Sequence, residues 1–173
     1  NWKAQKHLGI YALYVMFFPQ LVIGPIERPY NLMPQFFEKH YFRRENIVKG
    51  GGLLLLGFFK KSIIADRLAV FVNLVYGSPS THTGVELVLA TYLLAVQIYC
   101  DFSGYTDMAR GVANVLGFRL MENFNYPFLA TSLSEFWRRW HISLSSWFRD
   151  YLYIPMGGNR RSPMRNGINI FTV

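Results

Sequence analysis

The sequence predicts an all-α protein, a polytopic bundle of transmembrane helices of which this chain forms a part. Charged residues make up 16% of its 173 residues and aromatic residues 17%, whereas soluble domains are roughly 25% charged. The charges are also gathered in short clusters, with long uncharged stretches between them. An alternation of hydrocarbon and interface produces this pattern in membrane proteins.

The chain is basic, with 18 Lys and Arg, 10 Asp and Glu, and a formal net charge of +8. Such a balance can indicate nucleic-acid binding, but no nucleic-acid module is recognisable here. The basic residues instead border apolar runs rich in Trp, Tyr and Phe, as at a membrane surface. We therefore expect membrane lipid as a partner and no nucleic acid. The single cysteine, Cys100, excludes an intrachain disulfide and leaves the redox compartment open.

The two ends suggest an internal piece of a longer protein. The chain starts at Asn1, and an apolar segment begins at Ile168, just before the last residue, Val173. We expect residues 1–173 to be part of one membrane-embedded domain that is truncated at both ends.

Three stretches are candidates for long helices. Residues 8–26 carry no charge and approach the roughly 20 residues that span a bilayer, but Pro19 and a Gly-Pro pair predict a kink or an end near Gln20. Residues 47–76 predict one long helix or a broken pair, with three adjacent glycines that would let a neighbouring helix approach closely. Residues 83–100 are the best spanning candidate.

The spanning candidate leads directly into a polar run that holds Asp101 and Asp107. Carboxylates at the end of a spanning helix are costly unless they face a wet cavity or partners. Asp107 and Arg110 are three residues apart and are expected to pair locally, while Asp101, Ser103 and Tyr105 are candidates for a polar funnel. Metal-ligand spacing is lacking, so no metal site is predicted.

Residues 133–151 are the most informative segment. Ser132 and Glu135 stand at capping-box spacing, which predicts a helix from near Leu133 to about Tyr151. At about 100° per residue, His141 lies at the boundary between two faces of that helix. The apolar face comprises Leu133, Trp137, Trp140, Leu144, Trp147, Phe148 and Tyr151. The polar stripe comprises Ser134, Arg138, Ser145 and Arg149.

Burial and nearby arginines would keep the His141 imidazole neutral, the state that a general base requires. The alternative interpretation is structural: a hydrogen-bonded or interfacial histidine, with Arg138, Arg139 and Arg149 reaching to the headgroup layer. His7, His40 and His82 lie in polar flanks and are expected to be solvated. The residues by themselves therefore predict a polar seam in a membrane bundle, without a complete catalytic set.

Five runs of the chain carry family-specific patterns: residues 17–26, 97–107, 123–128, 135–151 and 153–160. The Glu-Phe-Trp-Arg-Arg-Trp-His-Ile-Ser-Leu segment is the most specific of them. These runs resemble the membrane-bound O-acyltransferase family, and in particular its bacterial, polysaccharide-acetylating branch. The resemblance implies an O-acyltransferase that moves an acyl group, expected to be acetyl, to hydroxyl groups of an extracytoplasmic polysaccharide.

The resemblance also implies the setting of the reaction. The acyl donor would be acetyl-CoA or another activated acyl carrier, acting as a co-substrate, with no bound cofactor. We expect a multi-pass protein of the bacterial inner membrane, with a polysaccharide acceptor and envelope-side partner proteins. The most basic loops, around residues 39–44 and 160–165, are expected to be cytoplasmic.

Two histidines are typical of the family. His141 matches the first and is the predicted catalytic residue. The second, which the family uses more directly in catalysis, would lie on a later helix, so this chain alone should be inactive. Arg138 and Arg149 are expected to stabilise an oxyanion or bind a phosphate-bearing donor, with Asn125 and Asp101 as orienting residues. The predicted channel or orienting set is Asp101, Ser103, Tyr105, Asp107, Asn125, Glu135, Arg138, Trp140, Ser145, Arg149 and Asp150.

Two other classes of protein stay open at this point. In a transporter or channel, the seam of Asp101, Asp107 and His141 would conduct protons or a solute. In a structural scaffold of the envelope, the same seam would tolerate alanine substitutions.

Overall fold

A computed structural model of the chain describes residues 6–21, 23–158 and 167, and these residues form helices, turns and irregular segments without a strand. The all-α prediction is confirmed for this part of the chain. The chain divides into two compact units, the first comprising Asn1–Gly24 and Arg28–Leu120, the second Pro25–Glu27 and Met121–Val173. The expectation of a single membrane-embedded domain stays a prediction.

In the first unit, the uncharged stretch 8–26 forms two short helices. Helix α1 (Leu8–Val15) starts after His7, whose ring accepts a hydrogen bond from a first-turn N–H at 3.3 Å, and α2 (Phe18–Leu21) follows. The predicted break therefore occurs, a few residues before Gln20. Pro19 has no N–H to donate to the carbonyl of Val15, so α1 cannot continue through it, and it lies in the first turn of α2, where that N–H is not needed.

A small aromatic core holds the next segment in place. Helix α3 (Pro29–Leu32) continues into a 3₁₀ turn, Met33–Phe37. The ring of the buried Phe17 lies 5.0 Å from that of Phe118 and 5.6 Å from that of Phe36, centroid to centroid. Edge-to-face contacts of this kind add to the burial energy of the rings.

The stretch 47–76, predicted as one long helix or a broken pair, lies within one continuous helical run. It comprises α4 (Arg44–Phe58), a π-helical segment (Phe59–Ala65) and α5 (Asp66–Gly77). Helix α4 packs along α6 (Gly84–Val115). π-Helical turns inside α-helices often occur at functional positions.

Glycines set the distance between α4 and α6. A Cβ on Gly50 would lie 2.6 Å from the carbonyl oxygen of Gly111, and one on Gly57 would lie 2.5 Å from that of Gly104. We call these four residues the glycine seam. Of the three adjacent glycines expected to allow close approach, only Gly50 contacts the neighbouring helix, because a Cβ on either of the others would meet nothing within 4 Å.

Helix α6 is the only helix in the described residues that is long and apolar enough to cross a membrane. Thr83 caps it with a full capping box to Glu86, and its 32 residues extend roughly 48 Å at about 1.5 Å per residue. Only 11% of its most apolar 18-residue window is buried. A core helix of a soluble protein would be mostly covered, whereas most of this window is uncovered in the described part of the chain.

The predicted end of this helix at Cys100 was wrong, because α6 continues to Val115. Asp101 and Asp107 therefore lie within the helix rather than beyond it. Lys61 lies 2.6 Å from Asp101, and Lys60 lies 2.6 Å from Asp107. These partners offset the cost of carboxylates in the helix interior, which the sequence pattern alone could not anticipate.

The second unit contains short helices. After a loop that includes a 3₁₀ turn (Pro127–Leu129) come α7 (Leu133–Arg139), α8 (Ile142–Phe148) and a π-helical turn (Arg149–Tyr153). The start at Leu133 is confirmed, but the prediction of one helix to about Tyr151 was wrong. The predicted cytoplasmic loop at residues 160–165 and the apolar segment from Ile168 lie outside the described residues.

Candidate active site at a helix break

His141 lies at the break between α7 and α8, where its backbone is left-handed, with φ 43° and ψ 54°. A residue with a Cβ is strained in this region, and such strain persists only where the surroundings hold it. Strained backbone is concentrated at functional sites, which makes this position a candidate for function. The sequence pattern predicted ordinary helical backbone here.

The segment Asn123–Asn125 causes the break by replacing hydrogen bonds of the helix. In a continuous helix the Ser143 N–H would donate to the carbonyl oxygen of Arg139. Instead, the Ser143 N–H donates to Oδ1 of Asn123 at 3.2 Å, and the Arg139 carbonyl accepts from the Asn125 N–H at 2.9 Å. The preceding N–H, that of Ile142, donates to the Asn123 carbonyl oxygen at 2.9 Å. Insertion of other groups into the helical ladder is a recognised cause of sharp kinks.

Asn123 is the residue that sequence reasoning missed. Its side chain is only 1% exposed, and its Oδ1 also accepts a hydrogen bond from the hydroxyl of Ser143, itself fully buried, at 2.9 Å. Asn125, the predicted orienting residue, contributes its backbone N–H while its side chain is exposed. Asn123 is the first residue of the run 123–128, which carried part of the family resemblance. That position could have identified it as a candidate site residue.

The His141 ring is half-buried and lies parallel to Phe124, with 6.4 Å between ring centroids. Burial lowers the pKa of His141 below its ordinary value of 6.5, since desolvation disfavours the charged imidazolium. The predicted neutral state follows from burial, without the contribution that was expected from nearby arginines. A neutral imidazole can accept a proton from a hydroxyl group.

Trp140 forms the apolar support beside the histidine. Its ring stacks on Phe136, with 5.5 Å between centroids, and meets Phe124 edge to face at 5.0 Å. Trp147 stacks separately on Tyr151, with centroids 5.2 Å apart. The predicted single apolar face was therefore wrong. The break at His141 separates the aromatic residues into one group around Trp140 and another around Trp147.

Glu135 anchors the start of α7 rather than contacting the imidazole. The Ser132 hydroxyl accepts from the Glu135 N–H at 3.2 Å, and the Glu135 carboxylate accepts from the N–H and the hydroxyl of Thr131, both at 2.8 Å. Arg139 lies 2.5 Å from the same carboxylate. These hydrogen bonds, those from Thr131 first, lower the pKa of Glu135 to about 2, so this residue is ionised.

The predicted polar stripe is divided by the break. Arg138 is exposed and donates from Nε to the carbonyl oxygen of Ser134 at 3.3 Å. Ser145 is exposed, with its hydroxyl 3.5 Å from the Trp140 carbonyl oxygen. Arg149 donates to its neighbour Asp150 at 2.9 Å. No single continuous helix runs through residues 133–151, so the stripe that was predicted on such a helix does not form.

Four residues of the predicted channel or orienting set lie on α6, in the first unit: Asp101, Ser103, Tyr105 and Asp107. Three of them contact lysines of the π-helical segment. Lys61 contacts Asp101, and its Nζ lies 5.5 Å from the ring centroid of Tyr105. Asp107 forms an ion pair with Lys60, and its predicted local pair with Arg110 is confirmed at 3.6 Å. Ser103, which lies between Asp101 and Asp107 in the sequence, is buried. Across residues 6–21 and 23–158, no three His, Cys, Asp or Glu side chains come together as metal ligands.

Comparison with known proteins places these features in a family context. A model of the membrane-bound O-acyltransferase family (MBOAT) matches residues 7–172. The chain is 44% identical over 168 residues to the probable alginate O-acetylase AlgI of Pseudomonas aeruginosa, covering 97% of this chain and 32% of that protein. It is 41% identical over 173 residues to the peptidoglycan O-acetyltransferase of Helicobacter pylori, covering 97% and 33%.

A more distant relative is the teichoic acid D-alanyltransferase of Bacillus subtilis, with 34% identity over 155 residues, covering 88% of this chain and 39% of that protein. The chain spans about a third of the length of the curated relatives that it matches.

Proposed function

Because the chain belongs to the membrane-bound O-acyltransferase family, we propose that the full-length protein is an enzyme that transfers an acyl group to hydroxyl groups of a polysaccharide. The names of its relatives refer to alginate, peptidoglycan and teichoic acid. All three are polymers that carry hydroxyl groups. In this proposal the acceptor is an extracytoplasmic polysaccharide.

The transferred group in this proposal is acetyl. Relatives named for O-acetylation share 41% and 44% identity with the chain, against 34% for the relative named for D-alanyl transfer. The donor is acetyl-CoA or another activated acyl carrier, and it acts as a co-substrate.

The observation that carries this proposal is the strained, half-buried His141. The chain accepts a left-handed backbone at a residue with a Cβ and uses the buried Asn123 to hold it there. A purely structural histidine would be compatible with ordinary helical backbone. The strain is understandable if the position of the imidazole is itself under selection.

In the proposed chemistry His141 acts as a general base. Its neutral ring nitrogen takes the proton of the acceptor hydroxyl as that oxygen attacks the acyl carbonyl carbon. The new carbon–oxygen bond forms, the bond from the carbonyl carbon to the donor breaks, and the proton leaves with the donor group. Hydrogen-bond donors or cations stabilise the negative charge on the carbonyl oxygen in between.

The remaining predicted residues take different parts in this proposal. Arg138 and Arg149 are exposed and are available to bind a phosphate-bearing donor. Trp140 and Asn123 position the histidine, and Glu135 anchors α7. Asp101 and Asp107 connect α6 to the lysines of the π-helical segment.

We place the enzyme in the bacterial inner membrane as a multi-pass protein, with envelope-side partners that present the polymer. Helix α6 is long and apolar enough for one crossing. Lipid provides the surrounding for its uncovered apolar side chains, such as Val85 and Tyr92, which are 79% and 71% exposed.

The test uses the full-length protein in a strain that lacks its own copy. His141→Ala should abolish O-acetyl esters on the polysaccharide, measured as acetate released by mild alkali, while the protein still reaches the membrane. His82→Ala is the matched control, since His82 lies near Glu86 at the start of α6. Wild-type ester levels in His141→Ala would contradict the proposal. So would solute or proton flux by the reconstituted protein without ester formation, the result expected of a transporter.

A further inference from the structure

A polar cavity of about 400 Å³ lies in the first unit, and the proposed acyl transfer makes no use of it. Its lining comes from three places: the turn that follows α3, the loop that leads into α4, and the end of α6. The lining is mainly polar and basic. A concave site with converging polar groups is the usual form of a ligand site.

The cavity has an excess of positive charge. Lys39, Arg43 and Arg119 line it, and Glu38 is the acidic residue of the lining. Among the described residues, none of the three cationic side chains has an ion-pair partner. Asn46, in the first turn of α4, also lines the cavity, so the positive end of the helix dipole lies nearby. This combination favours an anionic ligand.

The walls of the cavity are held by hydrogen bonds before any ligand arrives. The Gln35 side chain donates to the carbonyl oxygen of Arg119 at 2.9 Å and accepts from its N–H at 2.8 Å. The His40 ring packs on Phe118 with 4.2 Å between centroids, and its Nε2 donates to the Gln35 carbonyl oxygen at 2.7 Å. Gly117, with φ +88°, leaves room for that imidazole, since a Cβ there would lie 2.9 Å from Nδ1.

Exposed aromatic residues surround the cationic part of the sequence. Phe37, Tyr41 and Phe42 are 66%, 66% and 88% exposed. Aromatic side chains beside Lys and Arg are characteristic of the membrane interface, where the rings sit at headgroup level. Tyr41 lines the cavity, and Phe37 and Phe42 are sequence neighbours of residues that line it. A site for a water-soluble anion would need no such exposed rings.

We propose that this cavity binds the phosphate group of an anionic phospholipid. Lys39, Arg43 and Arg119 contact the phosphate oxygens, and Phe37, Tyr41 and Phe42 lie among the neighbouring acyl chains. A soluble phosphate ester, such as coenzyme A, shares the phosphate chemistry but would leave the three aromatic rings in water. The phospholipid is therefore the ligand that fits both the basic residues and the aromatic rings. Basic residues near a membrane surface are attracted to anionic lipids.

The test compares ligands on the full-length protein in neutral detergent. Thermal unfolding is followed with phosphatidylglycerol, phosphatidylcholine, coenzyme A or inorganic phosphate added. Phosphatidylglycerol should raise the unfolding temperature in a concentration-dependent way, because a ligand that binds only the folded state stabilises it. The other three additions should have little effect.

The decisive variant carries Arg43→Gln and Arg119→Gln together. Neither side chain makes a hydrogen bond that the fold depends on: Arg43 gives no side-chain cap to α4, and Arg119 is held through its backbone. The variant should bind phosphatidylglycerol about tenfold more weakly or worse. Arg67→Gln is the matched control, because Arg67 is an exposed arginine of α5 outside the cavity.

Equal affinity for phosphatidylglycerol in the double variant and the wild type would overturn the proposal. A larger response to coenzyme A or inorganic phosphate than to the lipid would also overturn it, in favour of a soluble phosphate ligand. If the double variant does not fold, Lys39→Gln provides the same comparison with one exposed side chain changed. The readout is independent of acyl transfer, so its result does not depend on the proposed function.

Discussion

A single oxygen atom of Asn123 holds Ser143 twice, accepting from its N–H at 3.2 Å and from its hydroxyl at 2.9 Å. Both residues are buried. The contact holds Ser143, the second residue of α8. The direction of the His141 imidazole therefore depends on a residue 18 positions earlier in the chain. Loss of this oxygen would leave a buried N–H and a buried hydroxyl without an acceptor.

Asn123→Ala should therefore destabilise the protein and reduce acyl transfer. Leaving such buried groups unsatisfied costs about 1–3 kcal/mol, and polysaccharide acetylation should fall further than the amount of folded protein does. Unfolding in denaturant and acetate release are the two measurements. Asn73→Ala, an exposed position on α5, is the control. Unchanged stability and unchanged acetylation in Asn123→Ala would show that the break is held by other contacts.

His141→Gly and His141→Ala should separate strain from chemistry. Both remove the imidazole and should abolish acetylation. Glycine adopts left-handed backbone without a Cβ penalty, whereas other residues are strained there by roughly 1–2 kcal/mol. We expect the glycine variant to be the more stable of the two by about 1 kcal/mol, measured by thermal unfolding. Equal or lower stability of His141→Gly would argue against a left-handed residue at this position.

The pH dependence of acyl transfer should reflect the burial of His141. Because burial lowers the pKa of the imidazole below 6.5, the base stays neutral as the pH falls to that value. The acid limb of kcat/KM should lie below pH 6.5 and should be missing from any residual activity of His141→Gln. An acid limb above pH 6.5 would contradict a buried, neutral base.

The same shift has a consequence for stability. A histidine whose pKa is lower in the folded state binds fewer protons there than in the unfolded state, so the free energy of unfolding rises with pH in that range. Its contribution is complete above about pH 6.5 and is lost as the pH falls below it. His141→Gln should remove this part of the acid sensitivity, measured as the unfolding free energy against pH.

The glycine seam provides a pair of matched substitutions on α4. Gly57→Ala should destabilise by about 1–3 kcal/mol, because the added Cβ would lie 2.5 Å from a backbone oxygen of α6 that cannot move alone. Gly51→Ala should stabilise by up to about 1 kcal/mol through helix propensity, since its Cβ would meet nothing within 4 Å. Thermal unfolding of the two variants should thus shift in opposite directions. A shift in the same direction would mean that the two helices are not in backbone contact.

Local patterns were sufficient to predict several elements. The capping residues placed the start of α7 at Leu133, the apolar run placed the most apolar part of α6, and the three-residue spacing predicted the pair Asp107–Arg110. Each of these features depends on residues within about one helical turn of each other. The location of His141 as a candidate was also available from sequence, through its neighbours and the family resemblance.

The end of α6 and the break at His141 could not be predicted in this way. Lys60 and Lys61 are the partners of the aspartates of α6, and the spacing of residues along one helix does not show which side chains a second helix provides. Periodicity assumes that every N–H finds the carbonyl four residues before it. That assumption fails where a distant segment supplies a competing acceptor.

The sequence by itself determined that the described chain is helical, that its apolar segments suit a membrane, and that a histidine among aromatic residues is the candidate base. These properties follow from composition and from contacts between near neighbours. Only the tertiary structure decided how that histidine is held. The loop at Asn123 takes the hydrogen bonds that would have continued α7 into α8, and a hydrogen bond between residues 20 apart has no signature in local periodicity.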